Sequence, residues 1–150
     1  MKPTITWVVI ADGDKARIFQ HDGPGKGLQA LQDLNQDQAH LRARDIMADR
    51  PGRVASSQGN GSRAAVDYKT DPVATRERQF LAHLADTLEE KRAAKAFDRL
   101  VIVAPPIALG ELRPALTDAV RSTIEAELAK DLTKTPTDKL GGHLEGVLAV

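Results

Sequence analysis

The chain has 150 residues, with 21 basic and 21 acidic side chains and a formal net charge of zero. This balance excludes a generally basic nucleic-acid protein, although it allows a local basic patch. The absence of cysteine excludes disulfides, cysteine-based metal sites and a thiol nucleophile. Apolar runs fall short of the roughly 18 residues of a membrane span, and no signal peptide opens the chain. We therefore expect one cytoplasmic domain over residues 1–150.

Three strands are predicted at the start of the chain. Residues 5–10 and 15–20 are apolar and β-branched around a turn at 12–14, which predicts a hairpin. A glycine-rich turn at 21–27 then leads to alternating apolar residues, which predict a third strand over 28–34.

A polar stretch and an unusual loop follow. Residues 35–49 carry few large apolar side chains, so any helix there is expected to be short and weakly anchored. Residues 50–65 contain three glycines, three serines and three arginines without an acidic residue. This composition predicts a mobile loop with local positive charge over residues 50–71.

The second half of the chain alternates helices and strands. Asp71 and Pro72 are typical of a helix start, and apolar spacing extends that helix to about Ala96. The apolar residues 100–104 predict a strand buried on both faces in the middle of a sheet.

Shorter elements complete the pattern. Residues 109–112 suggest one helical turn, and Pro114 fits the first turn of a further helix. Residues 124–128 suit either a strand, which we prefer, or an extension of that helix. Thr135 as cap and Pro136 as first residue predict a final helix. The order β-β-β-α-β-α-β-α is typical of an α/β protein with a ribonuclease H-like mixed sheet.

The sequence offers little support for catalysis. Asp12 and Asp14 could begin a two-metal nuclease site, but residues 100–109 supply no further acid, so a turn is the better interpretation. The glycines at 23–27 lack the Gly-Lys-Ser/Thr ending of a phosphate-binding loop. The histidines lack metal-ligand spacing, and the serines lack a nucleophile elbow. We therefore predict no metal and no cofactor, and we do not favour an enzyme.

Phosphate binding is the chemistry that the loop favours. Its guanidinium groups and glycine backbone amides are suited to contacting phosphates closely. The alternative is a solvated loop without a ligand. The candidate RNA-binding residues are Arg53, Gly59, Gly61, Arg63, Arg76 and Arg78.

Several separated motifs carry a family resemblance. Together they resemble the bacterial host attachment protein family, described as required for attachment to host cells. The motifs are residues 7–17 (WVVIADGDKAR), 51–53 (PGR), 70–72 (TDP), 97–106 (FDRLVIVAPP), 109–113 (LGELR) and 130–133 (KDLT).

The resemblance implies a fold and a functional context. That family is similar to the bacterial relatives of archaeal and eukaryotic peptide-chain release factors, whose middle domain is ribonuclease H-like. In release factors a Gly-Gly-Gln loop before a long helix promotes hydrolysis of peptidyl-tRNA. The corresponding loop here contains Gln58 but no Gly-Gly-Gln triplet, so Gln58 is a weak catalytic candidate.

Three functions follow as expectations. The first is a translation-associated module that binds structured RNA or the ribosome through the loop 50–71. The second is a non-enzymatic protein-interaction module with an indirect role in attachment. The third is a peptidyl-tRNA hydrolase in which Gln58 positions water. The oligomeric state is left open by the sequence.

Overall fold

A computed structural model describes residues 4–49 and 71–148 of the chain as a mixed α/β structure. The strands are β1 (Thr6–Ala11), β2 (Lys15–His21), β3 (Gln29–Ala30), β4 (Gln36–Asp37), β5 (Arg99–Val103) and β6 (Ile124–Leu128). The helices are α1 (Gln38–Asp49), α2 (Pro72–Ala93), α3 (Pro106–Ala115), α4 (Asp118–Arg121) and α5 (Thr137–Leu144).

One sheet organises these elements. Its strand order is β3-β2-β1-β5-β6, and β4 also pairs with β2. The pairs β1–β5 and β5–β6 are parallel, whereas β2 is antiparallel to β1. The expectation that the strand at 100–104 lies mid-sheet is confirmed, since β5 has a neighbour on each side.

Helices cover both faces of the sheet. On one face α2 and α3 pack against side chains that include Trp7, Val9 and Ile102. On the other face α5 packs against side chains that include Val8 and Ile10. The central strands are therefore apolar on both faces, which is why they appear as continuous apolar runs in the sequence.

The predicted hairpin is confirmed, and Asp12 closes it. Its Oδ1 accepts hydrogen bonds from the backbone N–H groups of Asp14 at 2.8 Å and Lys15 at 2.7 Å. Side-chain acceptance of nearby backbone donors is the usual reason for aspartate in tight turns. The turn interpretation of Asp12 is therefore confirmed.

The predicted third strand over 28–34 is largely wrong. Only Gln29–Ala30 pairs with β2, and a 3₁₀ turn follows over Gln32–Leu34. The Asn35 side chain provides the reason, because its Oδ1 accepts from the Ile18 backbone N–H at 3.2 Å. The side-chain amide of Asn35 thus takes the hydrogen-bonding position that a neighbouring strand would otherwise occupy beside part of β2.

The helices of the second half have other boundaries than the sequence predicted. The long helix α2 is confirmed, with the Asp71 carboxylate accepting from the Val73 backbone N–H at 2.9 Å. However, the single turn expected at 109–112 is the ten-residue helix α3, and Pro114 lies inside its last turn rather than opening the next helix. The strand interpretation of 124–128 is confirmed as β6.

The capping role predicted for Thr135 is wrong. Helix α5 begins at Thr137 after Pro136, and no side chain caps it. The backbone carbonyl of Thr135 instead accepts a hydrogen bond from the Arg17 guanidinium at 2.6 Å. The segment before α5 is thus tied to β2 by a side chain far away in sequence. Among the helices described, none is long and apolar enough to cross a membrane.

Candidate functional site

Most of the RNA-binding residues predicted from the sequence cannot be placed. Arg53, Gly59, Gly61 and Arg63 lie outside the described residues, as does the catalytic candidate Gln58. Their proposed roles remain predictions.

Arg76 and Arg78 lie near the start of α2 but are placed differently. Two positions along a helix rotate a side chain by about 200°. Arg76 is half-buried, whereas Arg78 is exposed, and its Nη2 donates to the Thr75 hydroxyl at 3.4 Å. The two guanidinium groups therefore do not form one compact pair.

Arg76 shares a cleft with residues of α1. The cleft lies between α1 and α2. Because it contains two guanidinium groups, an imidazole and two amides, we call it the arginine cleft. Its lining residues are Gln38, Leu41, Arg42, Arg76, Gln79, Phe80 and His83.

Helical spacing explains how these side chains converge. The α1 residues recur at i, i+3 and i+4, and the α2 residues at i, i+3, i+4 and i+7. Such positions share one face of a helix. Phe80, only 2% exposed, fixes the α2 face against the sheet, while Leu41 packs against the same core from α1.

The start of α1 is held by the β1–β2 turn. The side-chain amide of Gln38 donates to the Gly13 carbonyl at 2.7 Å. The backbone N–H of Gln38 donates to the Asp14 carbonyl at 2.9 Å. These bonds set the position of the α1 residues relative to the sheet.

The charged side chains among the described lining residues of the cleft are basic. None of its described lining residues is a carboxylate, and among the residues whose side chains the structure describes (4–43 and 71–148) neither Arg42 nor Arg76 forms an ion pair. Elsewhere arginines are paired: hydrogen bonds to the Glu127 carboxylate raise the pKa of Arg113. The cleft guanidinium groups are thus suited to an external anion.

Arg42 and Gln38 were missed by the sequence analysis. Residues 35–49 were interpreted as a short, weakly anchored helix, whereas α1 has 12 residues. The available signal was the spacing of Gln38, Leu41 and Arg42, which matches that of the α2 face. What the spacing could not show is that these two faces meet.

The part of the chain that the structure describes contains no arrangement of side chains suited to a metal ion. There, no group of three or more histidine, aspartate and glutamate side chains is placed to hold a metal ion. The Asp12 carboxylate is already engaged by the turn, and its Oδ2 also accepts from the Thr133 hydroxyl at 3.2 Å.

A family model matches most of the chain. A family model described as "Protein required for attachment to host cells" matches residues 7–144. No curated protein was found to match the chain.

Proposed function

Because the chain belongs to the family of proteins required for attachment to host cells, we propose that it acts as an RNA-binding module. In this proposal the arginine cleft contacts the phosphates of structured RNA, and the ribosome is its cellular partner. The module works in the cytoplasm and performs no catalysis. Its effect on attachment then arises indirectly.

The sheet topology supports a ribonuclease H-like fold for this module. The order β3-β2-β1-β5-β6 combines one antiparallel hairpin with two parallel neighbours, and helices lie on both faces. The fold similarity to the middle domain of release factors is part of the proposal. A fold alone does not define a function, so the site must supply the argument.

The observation that carries the proposal is the charge of the arginine cleft. Arg42 and Arg76 approach from two helices, the Gln79 amide adds a neutral hydrogen-bond donor, and none of the described lining residues is a carboxylate. Guanidinium groups bind phosphate oxygens through paired N–H donors, and side-chain amides commonly contact the same backbone. These groups suit an RNA backbone rather than a particular base sequence.

The proposal extends to residues on either side of the cleft. Arg78 is exposed on α2 and rotated away from Arg76, so it would contact RNA outside the cleft. Arg53 and Arg63 would add charge from the segment between α1 and α2, and Gly59 and Gly61 would add backbone N–H donors.

The first prediction tests the cleft directly. Fluorescence anisotropy with a labelled RNA hairpin should show binding that weakens as salt rises. In the double variant Arg42→Gln/Arg76→Gln, affinity should fall about tenfold at about 0.1 M salt, and the logarithmic salt slope should decrease in magnitude by about 1 to 2, since two phosphate contacts are lost.

A matched control distinguishes the loss of contacts in the cleft from the loss of net positive charge. Lys134 and Lys139 are exposed in the segment leading into α5 and on α5 itself, the helix that covers the opposite face of the sheet. The variant Lys134→Gln/Lys139→Gln removes the same charge and should bind as the wild type does. Equal weakening in both variants, or wild-type binding by the cleft variant, would contradict the proposal.

A further inference from the structure

A second groove lies on the same end of α2 but carries the opposite charge. It lies at the carboxyl ends of β1 and β5, with α2 and α3 as its walls. In open α/β sheets, this edge commonly holds ligand sites. We call it the acidic groove; its lining residues are Asp12, Gly13, Glu77, Leu81, Pro105, Ile107, Ala108 and Glu111.

The acidic groove has an uncovered apolar rim. Ile107, at the start of α3, is 77% exposed, and Val73 on α2 is 53% exposed. These are the large exposed apolar side chains of the described residues. Val73 lies one helical turn before Glu77 and so shares its face of α2. Pro105, which is half-buried, also lines the groove, so the apolar rim is more than a single exposed side chain.

The described residues that line this groove carry only negative charge. It contains three carboxylates and no lysine or arginine among its lining residues. Glu77 and Glu111 form no ion pair or side-chain hydrogen bond within the described parts of the chain. Carboxylates along a cleft with apolar walls concentrate a negative potential.

Gly13 lies against the Glu77 side chain. A Cβ atom at Gly13 would lie 2.6 Å from the Oε2 atom of Glu77, so a larger residue there would require the flexible Glu77 carboxylate to move. The hairpin turn and the Glu77 side chain are therefore adjoining parts of the groove wall.

We propose that the acidic groove docks a basic segment of a partner protein. Lysine or arginine side chains of that segment meet Glu77 and Glu111, and an adjacent aliphatic or aromatic side chain covers Ile107. Charge complementarity selects this occupant, and the apolar contact supplies buried area. RNA is disfavoured here because its phosphates would face carboxylates, so this surface is independent of the proposed RNA-binding function.

The experiment is selection of a random dodecapeptide phage library on the full chain. Enriched peptides should combine at least two basic residues with an aliphatic or aromatic residue. A labelled synthetic copy of one such peptide should bind Glu77→Gln/Glu111→Gln about tenfold more weakly than wild type, because two charge contacts are lost. It should also bind Ile107→Ser more weakly.

The control variant Asp86→Asn/Glu90→Gln removes the same charge from exposed positions farther along α2 and should bind as the wild type does. Each of three results would overturn the proposal: no enriched peptide, enriched peptides without basic residues, or equal binding by all variants. A dimer in sedimentation equilibrium that Ile107→Ser dissociates would also overturn it, since a second copy would then occupy the groove.

Discussion

Phe80→Ala should lower the free energy of unfolding by about 4 kcal/mol, the largest effect expected from a single substitution at the arginine cleft. The Phe80 ring is 2% exposed and belongs to the core between α2 and the sheet. Its removal costs both the transfer of an aromatic side chain and a cavity that neighbouring residues fill only partly. Urea unfolding can measure this, because Trp7 is the only tryptophan and is buried in the same core.

Two variants make the Phe80 result specific. Gln79→Ala changes the preceding, exposed residue and should alter stability by less than about 0.5 kcal/mol. Phe80→Leu keeps most of the apolar volume and should cost clearly less than Phe80→Ala. A loss below about 1 kcal/mol for Phe80→Ala would show that the ring does not fix α2 on the sheet.

Arg17→Ala should lower the free energy of unfolding by about 2 kcal/mol. The Arg17 Nη1 donates to the backbone carbonyls of Leu132 at 3.2 Å and Thr135 at 2.6 Å, and Nη2 donates to the Thr137 hydroxyl at 3.2 Å. The guanidinium carbon also lies 5.0 Å from the centre of the Phe19 ring. Truncation leaves the partly buried carbonyls of Leu132 and Thr135 unpaired, which is the costly form of a lost hydrogen bond.

The geometry of the guanidinium, not charge alone, should matter at Arg17. Partial burial lowers the pKa of Arg17, but the group stays protonated at all usable pH values. Arg17→Lys keeps the positive charge, but its single ammonium group cannot donate to several separate acceptors as the forked guanidinium does. It should therefore recover only part of the stability that Arg17→Ala loses. Arg121→Ala, which breaks an exposed pair with Asp118, should cost under about 1 kcal/mol. Equal losses for the alanine variants at 17 and 121 would contradict the anchoring role.

Patterns within one segment were sufficient to predict several elements. The β1–β2 hairpin follows from two β-branched runs around Asp12, the central strand β5 from a continuous apolar run, and α2 from regular apolar spacing after Asp71. In each case local preference and burial favour the same structure.

The incorrect predictions share a different cause. The third strand is replaced because the Asn35 side-chain amide accepts from the Ile18 backbone, and Thr135 does not cap α5 because that helix begins at Thr137, after Pro136, while the Thr135 carbonyl accepts from Arg17. Both outcomes depend on the position of segments that are distant in sequence, and a local pattern does not contain that information.

The candidate site was predictable only in part. Arg76 was identified from local charge, but its partner Arg42 lies on a helix expected to be weakly anchored. The acidic groove was not foreseen, because Asp12, Glu77 and Glu111 are far apart in sequence and meet only where parallel strands end together. Helix α2 thus has cationic and acidic surfaces that its own sequence does not reveal.

The most direct test of the central claim is sedimentation of native cell extract through sucrose gradients at low and high salt. The extract would contain wild type, Arg42→Gln/Arg76→Gln or the control Lys134→Gln/Lys139→Gln. RNA binding through the arginine cleft predicts that wild type and control migrate with ribosomal particles at low salt and leave them at high salt, while the cleft variant stays at the top throughout. Wild-type protein that remains at the top under both conditions, or a cleft variant that migrates with ribosomes, would contradict the account.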